Sequence, residues 1–450
     1  GQDQGRKQNQ DADFHGVIKS ERPPLCQTSC YTQPMFPLRI MTFLLILPSI
    51  ARAQVDLHAH LVMKPGMGPA LRGDFEGAPL STSWESRWST KATRVSLEQS
   101  GAPRLSVIAL YGHPWLSRPE FPGWESNVSR ALEEEYRLLR AFVDRPESNW
   151  ILARNAQEAR QALRGGKRVL VLSIEGAYGA LRTPDDLNRW IERGLSLLTP
   201  FHLTEDRFGG VALMRPWAAV FNTPVSFLTS LWRSGGSCLR DLCRSPSGLT
   251  EEGKLWIQKL IANKIWIDFA HANDLQVEGI LPLLKAAALP LLVTHTALRE
   301  HFPAERGLSP EITQAIRKGQ DGLIGLIPSE DMIRSPGSQE SCSGGLSRFR
   351  EEIQSLMSLI GEHRVTLGSD ANAPLRGLSP PCESPEWREG YAQYGKISEL
   401  TAYLHPRSDQ WNQAVLEHFL DLWEKVRPSP NANAPIPHGS TPRIRRGNPR

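Results

Sequence analysis

The 450-residue sequence predicts an α/β chain folded as a (β/α)8 TIM-type barrel, and three observations carry the expectation. Short apolar runs rich in β-forming residues recur eight times along the chain. Amphipathic stretches of helical period lie between most of them. Five of the runs close on His, Glu or Asp, where the C-terminal ends of parallel strands would fall; that is the face on which such barrels carry their chemistry.

The eight expected strands are 55–58, 105–111, 168–174, 195–201, 265–270, 289–294, 322–327 and 364–369. Runs such as VLVLSI and LPLLVT are apolar without alternation, as strands covered on both faces are. Helical spacing runs over 127–143, over 184–193 behind a Thr183 cap, over 251–263 behind a Thr250 cap, and over 279–288 and 347–360. A doubly wound open sheet is the alternative, but no G-x-G-x-x-G follows an early strand. Two stretches break the repeat, 63–101 and 204–248, and are expected as long loops after strands 1 and 4 that cover the barrel mouth.

The net charge of +4 is small, part of it sits in 443–450, and no basic stripe with interleaved aromatics is present, so no nucleic acid is expected as partner. From Met35 the chain reads as a secretory signal: Arg39, then an apolar run at 40–50, then Ala51-Arg52-Ala53. The expected organisation is a non-native or disordered leader at 1–34, a signal peptide at 35–53, a folded body at 54–426 and a disordered Pro/Arg-rich tail at 427–450. The expected location is secreted or periplasmic, with no transmembrane or lipid anchor. Of the six cysteines, Cys26 and Cys30 would leave with the leader; Cys238, Cys243, Cys342 and Cys382 permit two disulfides, and Cys238 and Cys243 are close enough for a loop staple.

The chemistry concentrates at strand ends. In Asp56-Leu57-His58-Ala59-His60, alternate residues of a strand face one side, so both imidazoles can point into the barrel mouth and suit a zinc-type ion. Glu175 ends VLVLSIE, His271 ends IWIDFAH, His295 ends LPLLVTH and Asp370 ends RVTLGSD. One such residue would be an ordinary polar strand end; five together point to a metal site. Asp268, inside its strand, is expected to bond backbone or neighbours, and His113 and His301 receive no role.

With these residues in view, the sequence resembles the membrane dipeptidase (renal dipeptidase, M19) family of the amidohydrolase superfamily. The resemblance spans roughly 55–375 and rests on DLHAH, SIEGAYG, LLTPFH, GLTEEGKLWIQKLIANKIWIDFAHAND, VTHTALR and TLGSDANAP. It implies two divalent metal ions, zinc in the family: His58 and His60 on the first, His271 and His295 on the second, and Glu175 bridging both. It implies Asp370 as catalytic acid and base, His202 as the donor to an oxyanion, and Arg306, eleven residues after His295, as the grip on a substrate carboxylate. The chain departs from the family's usual His-x-Asp with His-x-His, which keeps a ligand and removes a negative charge, and from IEGGH with IEGAYG. The aromatic residue the family often presents after strand seven has no counterpart in GLIGLIPSED.

Three functions stay open at this point. One is hydrolysis of the amide bond of dipeptides by water activated between two zinc ions. Another is hydrolysis of a lactone, phosphoester or cyclic amide at the same kind of centre, and the third is metal binding without catalysis. The plainer alternatives, a satisfied strand-end histidine for His202 and an ordinary surface arginine on a loop for Arg306, stay open. The expected partner is a small peptide substrate, and a homodimer stays open.

Overall fold

The computed structural model describes residues 55–63, 92–113, 124–215, 219–220, 223–239, 242–333, 345–373, 375–378 and 394–429. The expected leader and signal peptide, the tail from 430 onward, Cys342 and Cys382, and most of the first loop lie outside these residues. Among the described residues there are nine strands: β1 Val55–Ala59, β2 Leu105–Tyr111, β3 Trp150–Ala153, β4 Arg168–Glu175, β5 Leu195–Thr199, β6 Trp266–Ile267, β7 Leu291–Thr296, β8 Gly322–Leu326 and β9 Val365–Leu367. All pair in parallel, and eight follow the order β6-β5-β4-β2-β1-β9-β8-β7. The path closes where Asp268 bridges Leu292, with Phe269 N–H donating to the Leu292 carbonyl at 2.9 Å. The fold is a TIM-type (β/α)8 barrel.

Each expected strand is found, with β6 shortened to two residues because the backbone turns toward a left-handed His271. The addition is β3, which pairs with the first half of β4 from Trp150↔Arg168 to Ala153↔Val171; β5 takes over from Leu172 onward. The helix ends obey their caps. Thr183 and Asp186 form a reciprocal capping box on Pro184–Glu192, and Thr250 accepts from Gly253 N–H on Glu251–Ala262. The helix expected from 279 begins earlier, at Asp274, because Asn273 and Gln276 close a capping box that the spacing alone did not reveal. The second expected loop is not bare: it holds the helix Pro224–Arg233 and the short turn Ser237–Leu239, and the Cys238–Cys243 disulfide staples it. Among the described residues no helix is long and apolar enough to cross a membrane.

The core forms where strands and helices meet, around Leu57, Val107, Leu170, Leu172, Leu198, Ile324 and Leu367. Burial on this scale also traps acids. Glu352, on helix Gly345–Ile360, accepts from Leu298 N–H through Oε1, while its Oε2 has no partner. Burial pushes its carboxyl up from 4.5 to about 8, the Leu298 bond opposing. The folded chain thus binds this proton more tightly than the unfolded one. Its stabilising contribution is fully present below about pH 4.5 and is lost as pH rises through about 8. Glu352→Gln is expected to gain on the order of a few kcal/mol over the parent at pH 9 and nothing at pH 5, read as urea midpoints at the two pH values. Parallel pH profiles for the two proteins would contradict this.

Candidate metal centre

Eight side chains named from the sequence meet at the C-terminal end of the barrel. Glu175 is their middle. Its Oε1 lies 3.2 Å from His271 Nε2, 3.2 Å from His295 Nε2 and 3.6 Å from His58 Nε2, and its Oε2 lies 3.2 Å from His60 Nε2 and 3.4 Å from His202 Nε2. Asp370 Oδ1 reaches His60 Nε2 at 3.2 Å and His58 Nε2 at 3.9 Å. Arg306 is buried, not on the surface: its guanidinium donates to His271 Nε2 at 3.1 Å and to the His295 carbonyl at 3.2 Å.

The strand alternation that aims His58 and His60 inward also aims Glu175 from β4 and His295 from β7. Two other members need an unusual backbone. His271 and Asp370 have φ of 63° and 50°, in the left-handed region that residues with a Cβ rarely occupy, and Asn372 beside the site has 71°. Asp370 N–H donates to the His58 carbonyl at 2.9 Å, and Asn372 donates to the His60 carbonyl at 3.0 Å and the Ala92 carbonyl at 2.9 Å, so β1 and the turn after β9 are tied across the mouth. Lys264 and Ala288 are also left-handed, but each stands just past a helix end, where this conformation terminates helices routinely.

The electrostatics follow from crowding ionisable groups in a dry cleft. Burial drives Glu175 up, but the surrounding imidazoles, His202 and His58 foremost, outweigh it and hold the carboxyl well below its usual range. For Asp370 the same contest between burial and the His60 hydrogen bond ends the same way. Burial pushes His202 and His295 down to about 3 and His271 well below its usual value. His60 goes the other way: burial opposes it, but Asp370 and Glu175 flank its ring and raise it.

These residues fit a divalent cation pair. Glu175 Oε1 is buried and has no hydrogen-bond donor. Beside it, His271 Nε2 and His295 Nε2 face each other at 3.1 Å. His271 Nε2 accepts from Arg306, so this ring turns toward the carboxylate oxygen with no proton to offer it. A cation resolves that opposition. Among the described residues three groups have ligand atoms close enough to share an ion: His58, His60 and Asp370; His58, Glu175 and His295; Glu175, His202 and His271. Asp370 and His202, to which the resemblance gives other tasks, thus also stand within ligand reach.

Two residues escaped the sequence reading. Tyr111 ends β2, with its ring 4.5 Å from that of His202 and 5.8 Å from that of His60, and its buried hydroxyl has no hydrogen-bond partner. Its run ends on an aromatic, which carries no metal signal. Glu305 precedes Arg306 and gathers three loop amides, accepting from Leu213 N–H at 3.0 Å, Ser245 N–H at 2.7 Å and Asp274 N–H at 3.3 Å. Burial pushes it up to about 7. Arg299 then spans the same loops, pairing with Asp274 and donating to the Glu305 and Gly307 carbonyls.

A family model described as membrane dipeptidase (peptidase family M19) matches residues 78–387. The chain belongs to this family. Membership makes it a hydrolase of the M19 metallo-dipeptidase class with a candidate binuclear metal site. The matched range contains Glu175, His202, His271, His295, Arg306 and Asp370; His58 and His60 precede it and lie beside Glu175 at the distances given above. Among curated relatives, the chain is 24% identical over 290 residues to an uncharacterized protein of the pqqA 5′ region of Klebsiella pneumoniae, covering 64% of this chain and 92% of that one. It is 26% identical over 195 residues to one of the PQQ-III 3′ region of Acinetobacter calcoaceticus, covering 43% of this chain and 53% of that one. Among solved structures, an M19 metallopeptidase called dipeptidase AC superposes with a TM-score of 0.62 at 19% identity, covering 84% of this chain and 99% of its own. A Rhodobacter sphaeroides metallopeptidase, liganded with a phosphinate mimic of the dipeptide L-Ala-D-Ala, gives 0.62 at 18% identity, with coverage of 84% and 99%. The probable dipeptidase PvdM of Pseudomonas aeruginosa gives 0.58 at 19%, with 75% and 89%. At these identities the superpositions speak for the fold they share.

Proposed function

We propose that this chain is a dipeptidase that works with two divalent cations, zinc by its histidine-rich donor set, and cleaves the amide bond of dipeptides with a free C-terminal carboxylate. The observation that carries the reading is Glu175, whose two oxygens face separate sets of imidazole nitrogens. Cations held on either side would lower the pKa of a water between them and polarise the scissile carbonyl. The protein's own groups do the rest. Asp370 Oδ1 takes a proton from the attacking water and returns it to the leaving amine. His202, kept neutral by burial, donates a hydrogen bond to the oxygen on which charge develops. The L-Ala-D-Ala mimic held by the Rhodobacter relative motivates the choice of dipeptides over lactones and phosphoesters. A zinc-loaded sample tested on all three classes decides: turnover of dipeptides supports the reading, and turnover confined to lactones or phosphotriesters replaces it.

Arg306 supplies the preference for short substrates. Its guanidinium lies against His271 at the wall of the centre, where a planar carboxylate can be gripped by two N–H groups. Removing a charge-assisted pair costs about 1.5–3 kcal/mol. Arg306→Met is therefore expected to raise KM for dipeptides about ten- to a hundredfold, with little change on C-terminally amidated analogues. Equal losses on both, or a fall in metal content, would make Arg306 a support of His271 instead.

We also propose an oxidising compartment for the chain, in keeping with its secretory-like N-terminal run and with the Cys238–Cys243 bond. N-terminal sequencing of exported protein tests it.

A further inference from the structure

Behind the metal centre one hydroxyl stands between two of its histidines. Thr294 Oγ1 lies 3.2 Å from His58 Nδ1 and 2.9 Å from His295 Nδ1. It also donates to Asp268 Oδ2 at 2.5 Å. A threonine hydroxyl has one hydrogen and two lone pairs. Its hydrogen is spent on Asp268, so it meets both imidazoles as an acceptor, and both must carry their proton on Nδ1. That leaves the lone pair of each ring on Nε2, the atom turned toward Glu175.

Asp268 holds the hydroxyl to this direction. Its Oδ2 also accepts from Thr199 Oγ1 at 2.6 Å, and its Oδ1 accepts from Ala270 N–H at 3.0 Å and Thr294 N–H at 2.8 Å. The Thr294 backbone is fixed as well. A Cβ on Gly325 would lie 2.1 Å from the Thr294 carbonyl oxygen, and one on Gly368 would lie 1.9 Å from it, so β8 and the turn after β9 pack against this residue as only glycine allows. The rings of His58 and His295 lie close above one another, with centroids 3.8 Å apart and planes tilted by 34°.

We propose that Thr294, aimed by Asp268, is a positioning residue shared by both metal sites: one hydroxyl sets the tautomer and direction of His58, whose Nε2 can share an ion with His60 and Asp370, and of His295, whose Nε2 faces His271, together. This rests on the two-cation reading above. Its consequence is that the two ions weaken as a pair. Groups that orient metal-ligating histidines from behind typically change metal affinity by about 10–100-fold.

The test uses the full chain loaded with Zn²⁺ and titrated with a competing chelator, with retained zinc counted per chain. The parent is expected to hold two ions. Thr294→Val, of nearly the same shape but without the hydroxyl, is expected to release both ions at about 10–100-fold lower chelator strength, and Thr294→Ser to restore them. Asp268→Asn keeps the hydroxyl but offers it an amide N–H, so the Thr294 hydrogen turns to an imidazole and affinity falls although Thr294 is intact. In metal-free protein labelled with ¹⁵N-histidine, His58 and His295 are expected to show the Nδ1–H tautomer in the parent and in Thr294→Ser, and at least one to lose it in Asp268→Asn. A Thr294→Val protein that holds both ions as tightly as the parent overturns the proposal, as does loss of one ion alone. Unchanged tautomers and affinity in Asp268→Asn overturn the part given to Asp268. A parent that never holds two ions removes the two-cation reading itself.

Discussion

Glu175→Gln is expected to cost the chain one of its two ions and all measurable turnover. The carboxylate divides its oxygens, Oε1 toward His271, His295 and His58 and Oε2 toward His60 and His202. An amide keeps one acceptor oxygen and turns an NH2 group, a donor only, toward the other set. Whichever way it lies, both sets lose an anionic partner, and one of them meets a hydrogen instead of an oxygen. The weakened ion should bind more than about a hundredfold less tightly, beyond what loss of an outer orienting group costs. Elemental analysis should give two ions in the parent and one in the variant. Two tightly held ions in both would end the bridging role of Glu175.

Asp370→Asn is expected to lower kcat by about 10²–10⁴, the range for a positioned acid–base group, because an amide neither takes up nor releases a proton near neutral pH. Asp370 Oδ1 stands 3.2 Å from His60 Nε2, so it also lies within ligand reach of the first ion. Metal content and rate measured on one sample separate the two tasks. Full metal with lost turnover makes Asp370 the proton carrier. Lost metal with a rate partly restored by added zinc makes it a ligand. Full metal with near-normal turnover would remove Asp370 from the mechanism.

The barrel was legible because its strands are buried on both faces and so read as uninterrupted apolar runs. The candidate site was legible because a strand must stop at the barrel mouth, and five strand ends close on His, Glu or Asp, residue types able to hold a metal. What the sequence hid has physical causes. β3 is four residues long, and the helix after it, Ala156–Arg164, buries mainly alanines, which give a weak apolar period. Helix Pro224–Arg233 leaves Val225, Leu228 and Trp232 exposed, so its pattern does not mark one buried face. The left-handed backbones of His271 and Asp370 belong to residue types that give no warning of them. Thr294 looked like one more β-branched strand residue; its meaning comes from His58, 236 positions away.

Glu305 gives the loops of the mouth a common fate. The amides it gathers belong to three separate stretches of chain, and the Arg306 N–H donates in turn to the Leu213 carbonyl at 3.2 Å. No one of these stretches can swing out without stranding a buried carboxylate and the partners left on it, a penalty of the kind that makes local opening all-or-none. The rim around Arg306 is therefore expected to open, where it opens at all, as one cooperative unit rather than loop by loop.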